Sequence, residues 1–131
     1  CLYRKDLGVV TEKLTEASNL FADMTGMPIA EQKPIVAERN WMYKRDHIMR
    51  TILQDESIQF PFSPTLVGQV FRVGMGRGSG PVGVKAKLRQ LGIEVPEARI
   101  SEVVTLVTRE AVRRKRRLTD EEFRTLVSAL R

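Results

Sequence analysis

The chain has 131 residues, a formal net charge of +6, 42% hydrophobic and 29% charged residues. That length suits one ordinary domain or two small helical lobes joined end to end, with enough apolar content for a modest core. The absence of any run of about eighteen apolar residues excludes a transmembrane helix, and a single cysteine excludes an internal disulfide framework and fits a reducing cytoplasm.

The opening Cys1-Leu2-Tyr3-Arg4-Lys5-Asp6 places charges where a signal peptide needs an apolar stretch. A start at cysteine rather than methionine hints at a fragment or a processed product. Thr11-Glu12-Lys13-Leu14 then opens a predicted helix, with Thr11 as its cap, Glu12 at the positive end of the dipole and Gly26 as its left-handed stop. Leu14, Ala17, Leu20, Phe21 and Met24 fall on one stripe, so this helix is expected to dock through that face. Met27-Pro28-Ile29 and Lys33-Pro34-Ile35-Val36 read as extended connector, because proline disfavours helix in the residue before it.

From about Met42 to Leu53 the apolar spacing permits a helix, although Lys44, Arg45, Asp46, His47 and Arg50 crowd it. Phe60-Pro61-Phe62-Ser63-Pro64 forbids regular structure and Gly68 ends a loop-like segment. Gln69 to Met75 is the one good strand candidate. Gly76-Arg77-Gly78-Ser79-Gly80 is a glycine-rich turn leading into a helix from Val82 to Leu91, stopped by Gly92.

The last third is helical. Pro96-Glu97 starts a helix with Ile100, Val103, Val104, Val107, Ala111 and Val112 along one side. Thr119-Asp120-Glu121-Glu122 is a capping box ahead of Phe123, Leu126, Val127 and Leu130. A short link makes these two helices expected antiparallel neighbours.

Three segments, in this order, resemble one family. They are Lys33-Pro34-Ile35-Val36-Ala37-Glu38, then Ser63-Pro64-Thr65-Leu66-Val67-Gly68, then Gly76-Arg77-Gly78-Ser79-Gly80 continuing to Leu91-Gly92-Ile93. Together with Leu118-Thr119-Asp120-Glu121-Glu122-Phe123 they look like the region after the catalytic barrel in 2-isopropylmalate, homocitrate and citramalate synthases. The resemblance implies a parent enzyme with a TIM barrel of roughly 250 residues, in which a divalent metal and acetyl-CoA serve a condensation with a 2-oxo acid. This chain is too short for that barrel and has one histidine, so metal and acetyl-CoA are expected in the parent and neither in this segment.

The implied fold class is mainly α: a last barrel helix and exit over 1–36, a small α/β linker subdomain acting as lid over 37–95, and a helical subdomain over 96–131. The implied partners are the catalytic barrel of the same or a partner subunit in a homo-oligomer, with no membrane. The implied role is that of lid, dimerisation element and proton-transfer assistant, inactive alone.

The chain departs from the family where His-x-Ser-Gly-Ile-His is usual and Tyr43-Lys44-Arg45-Asp46-His47-Ile48 stands. An ungapped alignment puts Tyr43 and Ile48 at the two histidine positions, with His47 one residue away. Either a small shift brings His47 into the acid–base role or the role is absent. His47 has the ordinary pKa for proton transfer near neutrality, with Asp46 beside it to fix a tautomer, and its alternative is a solvated surface residue. Glu38 matches an acidic family position, and equally reads as a helix-start carboxylate. Tyr43 is a candidate to hydrogen-bond substrate or a half-buried tyrosine.

Arg77 and Ser79 sit in a glycine-rich turn before a helix, an arrangement that attracts anions and suits contact with a CoA phosphate. It is not a P-loop, because Pro81-Val82 replaces the Lys-Ser/Thr pair. The alternative is a tight turn. Arg113-Arg114-Lys115-Arg116-Arg117 offers a rival, a basic helical nucleic-acid-binding module. No aromatic residue interleaves with that run, and cations at a helix end need no partner, so nucleic acid is not the expected one. A purely structural dimerisation module is the other alternative.

Overall fold

The computed structural model describes residues 8–130, so Cys1 and the charged opening lie outside the described residues. Among these residues it contains five α-helices and one two-stranded parallel sheet, so the fold is mainly α. By spatial contact the chain forms two compact units, one from the residues up to Trp41 with Phe60–Phe71, the other from Met42–Gln59 with Arg72 onward.

The first unit holds helix α1, Leu14–Thr25, ended by Gly26 at φ +69° as its spacing demands. Thr11 does not cap it. Val10 is already turning the chain, its carbonyl accepting from the Lys13 amide, so Thr11 falls inside a 3-10 turn over Thr11–Lys13 and makes no cap bond. No residue of α1 is buried, and Leu20, Phe21 and Met24 are each more than half exposed.

The core of this unit is aromatic instead: Trp41 packs on Phe60 and Phe62 with ring centroids 5.5 and 5.6 Å apart, and Phe60 on Phe71 at 5.9 Å. The segment before it is a compact turn rather than an extended connector. Three side chains pin its carbonyls: Asn40 donates to Lys33 at 2.6 Å, Trp41 Nε1 to Ile35 at 2.7 Å, and the buried Gln69 to Val36 at 2.7 Å. Another 3-10 turn, Pro64–Val67, ends at Gly68, which is required twice over. Its φ is +71°, and a Cβ there would lie 2.4 Å from the Glu12 carbonyl oxygen.

In the second unit β1, Met42–Tyr43, pairs in parallel with β2, Arg72–Val73. The helix expected from Met42 therefore starts later, as α2 over Asp46–Gln54. A strand partner thirty residues away captures Met42 and Tyr43, and local periodicity cannot register that. The strand expected over 69–75 shrinks to its middle, with Met75 making a separate bridge to Leu118.

Helix α3, Pro81–Leu91, packs against α2, β2 and α4, Ile100–Arg114, and α4 packs against α5, Asp120–Ser128. Met49, Met75, Val84, Val103, Val107, Phe123 and Val127 are fully buried between these elements. On α4 the buried positions are Ile100, Val103, Val107 and Ala111, whereas Val112 lies past the stripe and is 55% exposed. The capping box at Thr119 is present in both directions, Thr119 Oγ1 accepting from the Glu122 amide and Glu122 Oε2 from the Thr119 amide.

Candidate functional site

Four of the residues singled out in the sequence, Tyr43, His47, Arg77 and Ser79, lie in the second unit along one seam, where the chain from Tyr43 to Asp46 runs beside the chain from Gly74 to Gly83. The Gly74 amide donates to the Tyr43 carbonyl at 2.7 Å, and the Gly83 amide donates to Asp46 Oδ1 at 3.1 Å. So the β1–α2 junction, which carries Tyr43 and His47, and the glycine-rich turn, which carries Arg77 and Ser79, are neighbours.

Tyr43 is half-buried, and its hydroxyl accepts a hydrogen bond from Gln59 Nε2 at 3.2 Å. His47 is the second residue of α2. Its imidazole is exposed, and its carbonyl accepts from Thr51 in the next turn. Asp46 does not orient that imidazole. Its Oδ1 is taken by the Gly83 amide, and its Oδ2 lies 3.6 Å from Arg50 Nη2, so the carboxylate faces α3 rather than its sequence neighbour.

Ser79 is buried, and its hydroxyl is committed to the turn, accepting from the Gly76 amide at 3.0 Å while the Ser79 amide donates to the Gly76 carbonyl at 3.0 Å. Arg77 stands exposed at the tip of the same turn. Glu38 belongs to the first unit, exposed in a 3-10 turn over Glu38–Trp41. Ile35, which sequence reading passed over, has a backbone φ of +71°, unusual for a β-branched residue.

Much of the basic run is internally neutralised. Arg113 and Arg114 both bind Glu110, Arg113 Nη2 and Arg114 Nε each at 2.5 Å from Oε1, and Arg116 Nη2 binds Glu122 at 2.6 Å. Arg114 also reaches Glu122, tying α4 to α5. These guanidinium hydrogen bonds, first from Arg113 to Glu110 and from Arg116 to Glu122, hold the two carboxyls at a pKa of about 2.

Among the described residues no group of three or more His, Cys, Asp or Glu side chains is placed to hold a metal ion, and no helix is long and apolar enough to cross a membrane. What the seam offers chemically is an exposed imidazole on the first turn of a helix, a tethered phenol and a cationic turn.

No protein-family model matches the chain. It is 32% identical over 95% of its length to a Methanopyrus kandleri protein assigned as an (R)-citramalate synthase, of which it spans 24%. It is 32% identical over 99% of its length to homocitrate synthase 1 of Nostoc sp., of which it spans 34%. It is 29% identical, again over 99%, to homocitrate synthase AksA of Methanothermobacter thermautotrophicus, of which it spans 33%. The chain thus spans about a quarter to a third of these curated relatives.

Proposed function

The chain is a homologue of the citramalate, homocitrate and isopropylmalate synthases, and on that basis we propose that it serves as the post-barrel segment of an enzyme condensing an acyl-CoA with a 2-oxo acid. The observation that carries this reading is the match to synthases across almost the whole chain, 95% and 99% of it in two of the relatives named above. In this reading residues 1–36 close the catalytic barrel, 37–95 form a lid, and 96–131 form a helical support. The exposed Leu20, Phe21 and Met24 of α1, beside an open groove of about 390 Å³ lined by Phe21, Met27 and Ile29, fit a helix that packs on further polypeptide.

Among the described residues no cluster is placed to hold a metal ion, and in this reading the barrel supplies both the divalent metal and the acetyl-CoA site. The chain's own share is to exclude water and to present a proton-transfer group at the barrel mouth. His47 is that group, and Tyr43 contributes a hydroxyl, steadied by Gln59, that bonds substrate. Glu38 is the acidic group from the preceding segment, and Arg77 the cation available to a CoA phosphate. A homo-oligomer in the cytoplasm completes the proposal. A nucleic-acid module is not favoured, because Glu110 and Glu122 hold three cations of the basic run.

The test is thiol release from acetyl-CoA in the presence of 2-oxo acids, followed for this chain combined with a synthase barrel and for the same combination carrying His47→Ala. Loss of about 10²-fold or more fits a general acid–base assistant. An unchanged rate removes His47 from the role.

A further inference from the structure

Helix α3 begins awkwardly. Its N-cap position is Gly80, which has no side chain to satisfy the first amides, and its first residue is Pro81. The first backbone bond of the helix runs from Val84 to the Gly80 carbonyl, leaving Gly83 to find another acceptor. It finds Asp46 Oδ1 at 3.1 Å, from a residue 37 positions earlier.

Asp46 is also the first residue of α2. One carboxylate therefore stands at the start of two helices, where both dipoles favour negative charge. Gly80 makes room for it: a Cβ there would lie 2.6 Å from Asp46 Cγ and 2.7 Å from Oδ1. The carboxylate is mostly shielded, its side chain 23% exposed, with Arg50 Nη2 3.6 Å from Oδ2.

We infer that Asp46 is a built-in anion: its carboxylate fills the cradle that the glycine-rich turn and the start of α3 would otherwise offer a phosphate. It thereby ties the first turn of α2 to α3 and fixes where His47 stands. The turn resembles a phosphate site in sequence, and the anion that stands at the start of α3 is part of the chain. Gly80 is required for that occupant, not for an external ligand. Arg77, at the tip, is outside this contact. The inference goes beyond the proposed synthase role and stands or falls independently of it.

The experiment is hydrogen exchange at the Gly83 amide in the intact protein, with and without inorganic phosphate or formate. In the wild type, Gly83 exchanges slowly and neither anion changes its rate. In Asp46→Ala, exchange quickens about tenfold, the fold-change expected for one lost hydrogen bond, and formate or phosphate slows it again by entering the vacated space. Gly80→Ala, which pushes the carboxylate out, reproduces the faster exchange.

If Asp46→Ala does not fold, Asp46→Asn keeps an acceptor and drops the charge, and its Gly83 amide is expected to exchange faster than wild type but less than tenfold. Unchanged exchange in Asp46→Asn then overturns the inference. Phosphate protecting Gly83 in the wild type overturns it too, and so does an Asp46→Ala protein whose Gly83 amide is indifferent to the substitution.

Discussion

The indole Nε1 of Trp41 donates to the carbonyl of Ile35 at 2.7 Å, and Ile35 is the residue whose backbone is held at φ +71°. Trp41 is buried, so this bond, with those from Asn40 and Gln69 on either side, holds a β-branched residue where glycine is at home. Trp41→Phe keeps most of the ring packing but leaves the Ile35 carbonyl without its donor, and is expected to cost about 1–2 kcal/mol in chemical denaturation. Ile35→Gly relieves roughly 1–2 kcal/mol of left-handed strain against about 0.5–1 kcal/mol of added freedom in the unfolded chain. It should fold at least as stably as the wild type. A loss above about 2 kcal/mol, more than cancelling that relief, contradicts the strained assignment.

Glu110 and Glu122 carry a dependence on acid. Their folded pKa of about 2 lies below the ordinary 4.5, so each contributes stability that is fully present above 4.5 and disappears as pH falls toward 2. The double variant Glu110→Gln, Glu122→Gln should show a shallower loss of melting temperature across that window, and added salt should shrink the wild-type loss. Gln at 122 can preserve the capping box, so the difference reports the two carboxylate charges, held chiefly by the arginines and, at 122, also by the Thr119 amide. An identical acid profile in the two proteins contradicts it.

Lys87 on α3 is 4% exposed, with its ammonium 2.6 Å from Asp120 at the start of α5. The two partners are unequal, since the Asp120 side chain is 57% exposed. Asp120→Ala leaves a buried ammonium facing Gln90, at 3.3 Å, without its carboxylate, and should cost about 1–3 kcal/mol. Lys87→Met returns Asp120 to water and should cost less than about 1.5 kcal/mol. Thermal melts that reverse this order contradict the asymmetry.

Thr119 accepts the Glu122 amide at 3.2 Å as the cap of α5. Thr119→Ala should cost about 1 kcal/mol, whereas Thr119→Ser should cost much less, by equilibrium unfolding.

Features confined to a few neighbouring residues were legible in the sequence. The capping box at Thr119, the stops at Gly26, Gly68 and Gly92, and the buried stripe of α4 all need only local spacing. Features made by distant partners were not. Met42 and Tyr43 read as helix until Arg72 and Val73 pair with them, and Thr11 reads as a cap until Val10 turns the chain first. For the site, Arg77 and Ser79 lie in a segment that carries the family likeness, whereas Tyr43 and His47, which stand beside them, lie where the chain departs from it. Their partners did not follow: Gln59 on Tyr43, Gly76 on Ser79, and Gly83 rather than His47 on Asp46. A clue to the last was Gly80, a helix-start residue unable to cap itself.

The most direct measurement supplies this chain to the barrel of a homologous homocitrate or citramalate synthase stripped of its matching segment, and follows thiol release from acetyl-CoA with 2-oxo acids. The account predicts that the chain restores release and that its His47→Ala form does not. Thiol release that proceeds at the same rate with or without the chain contradicts the account.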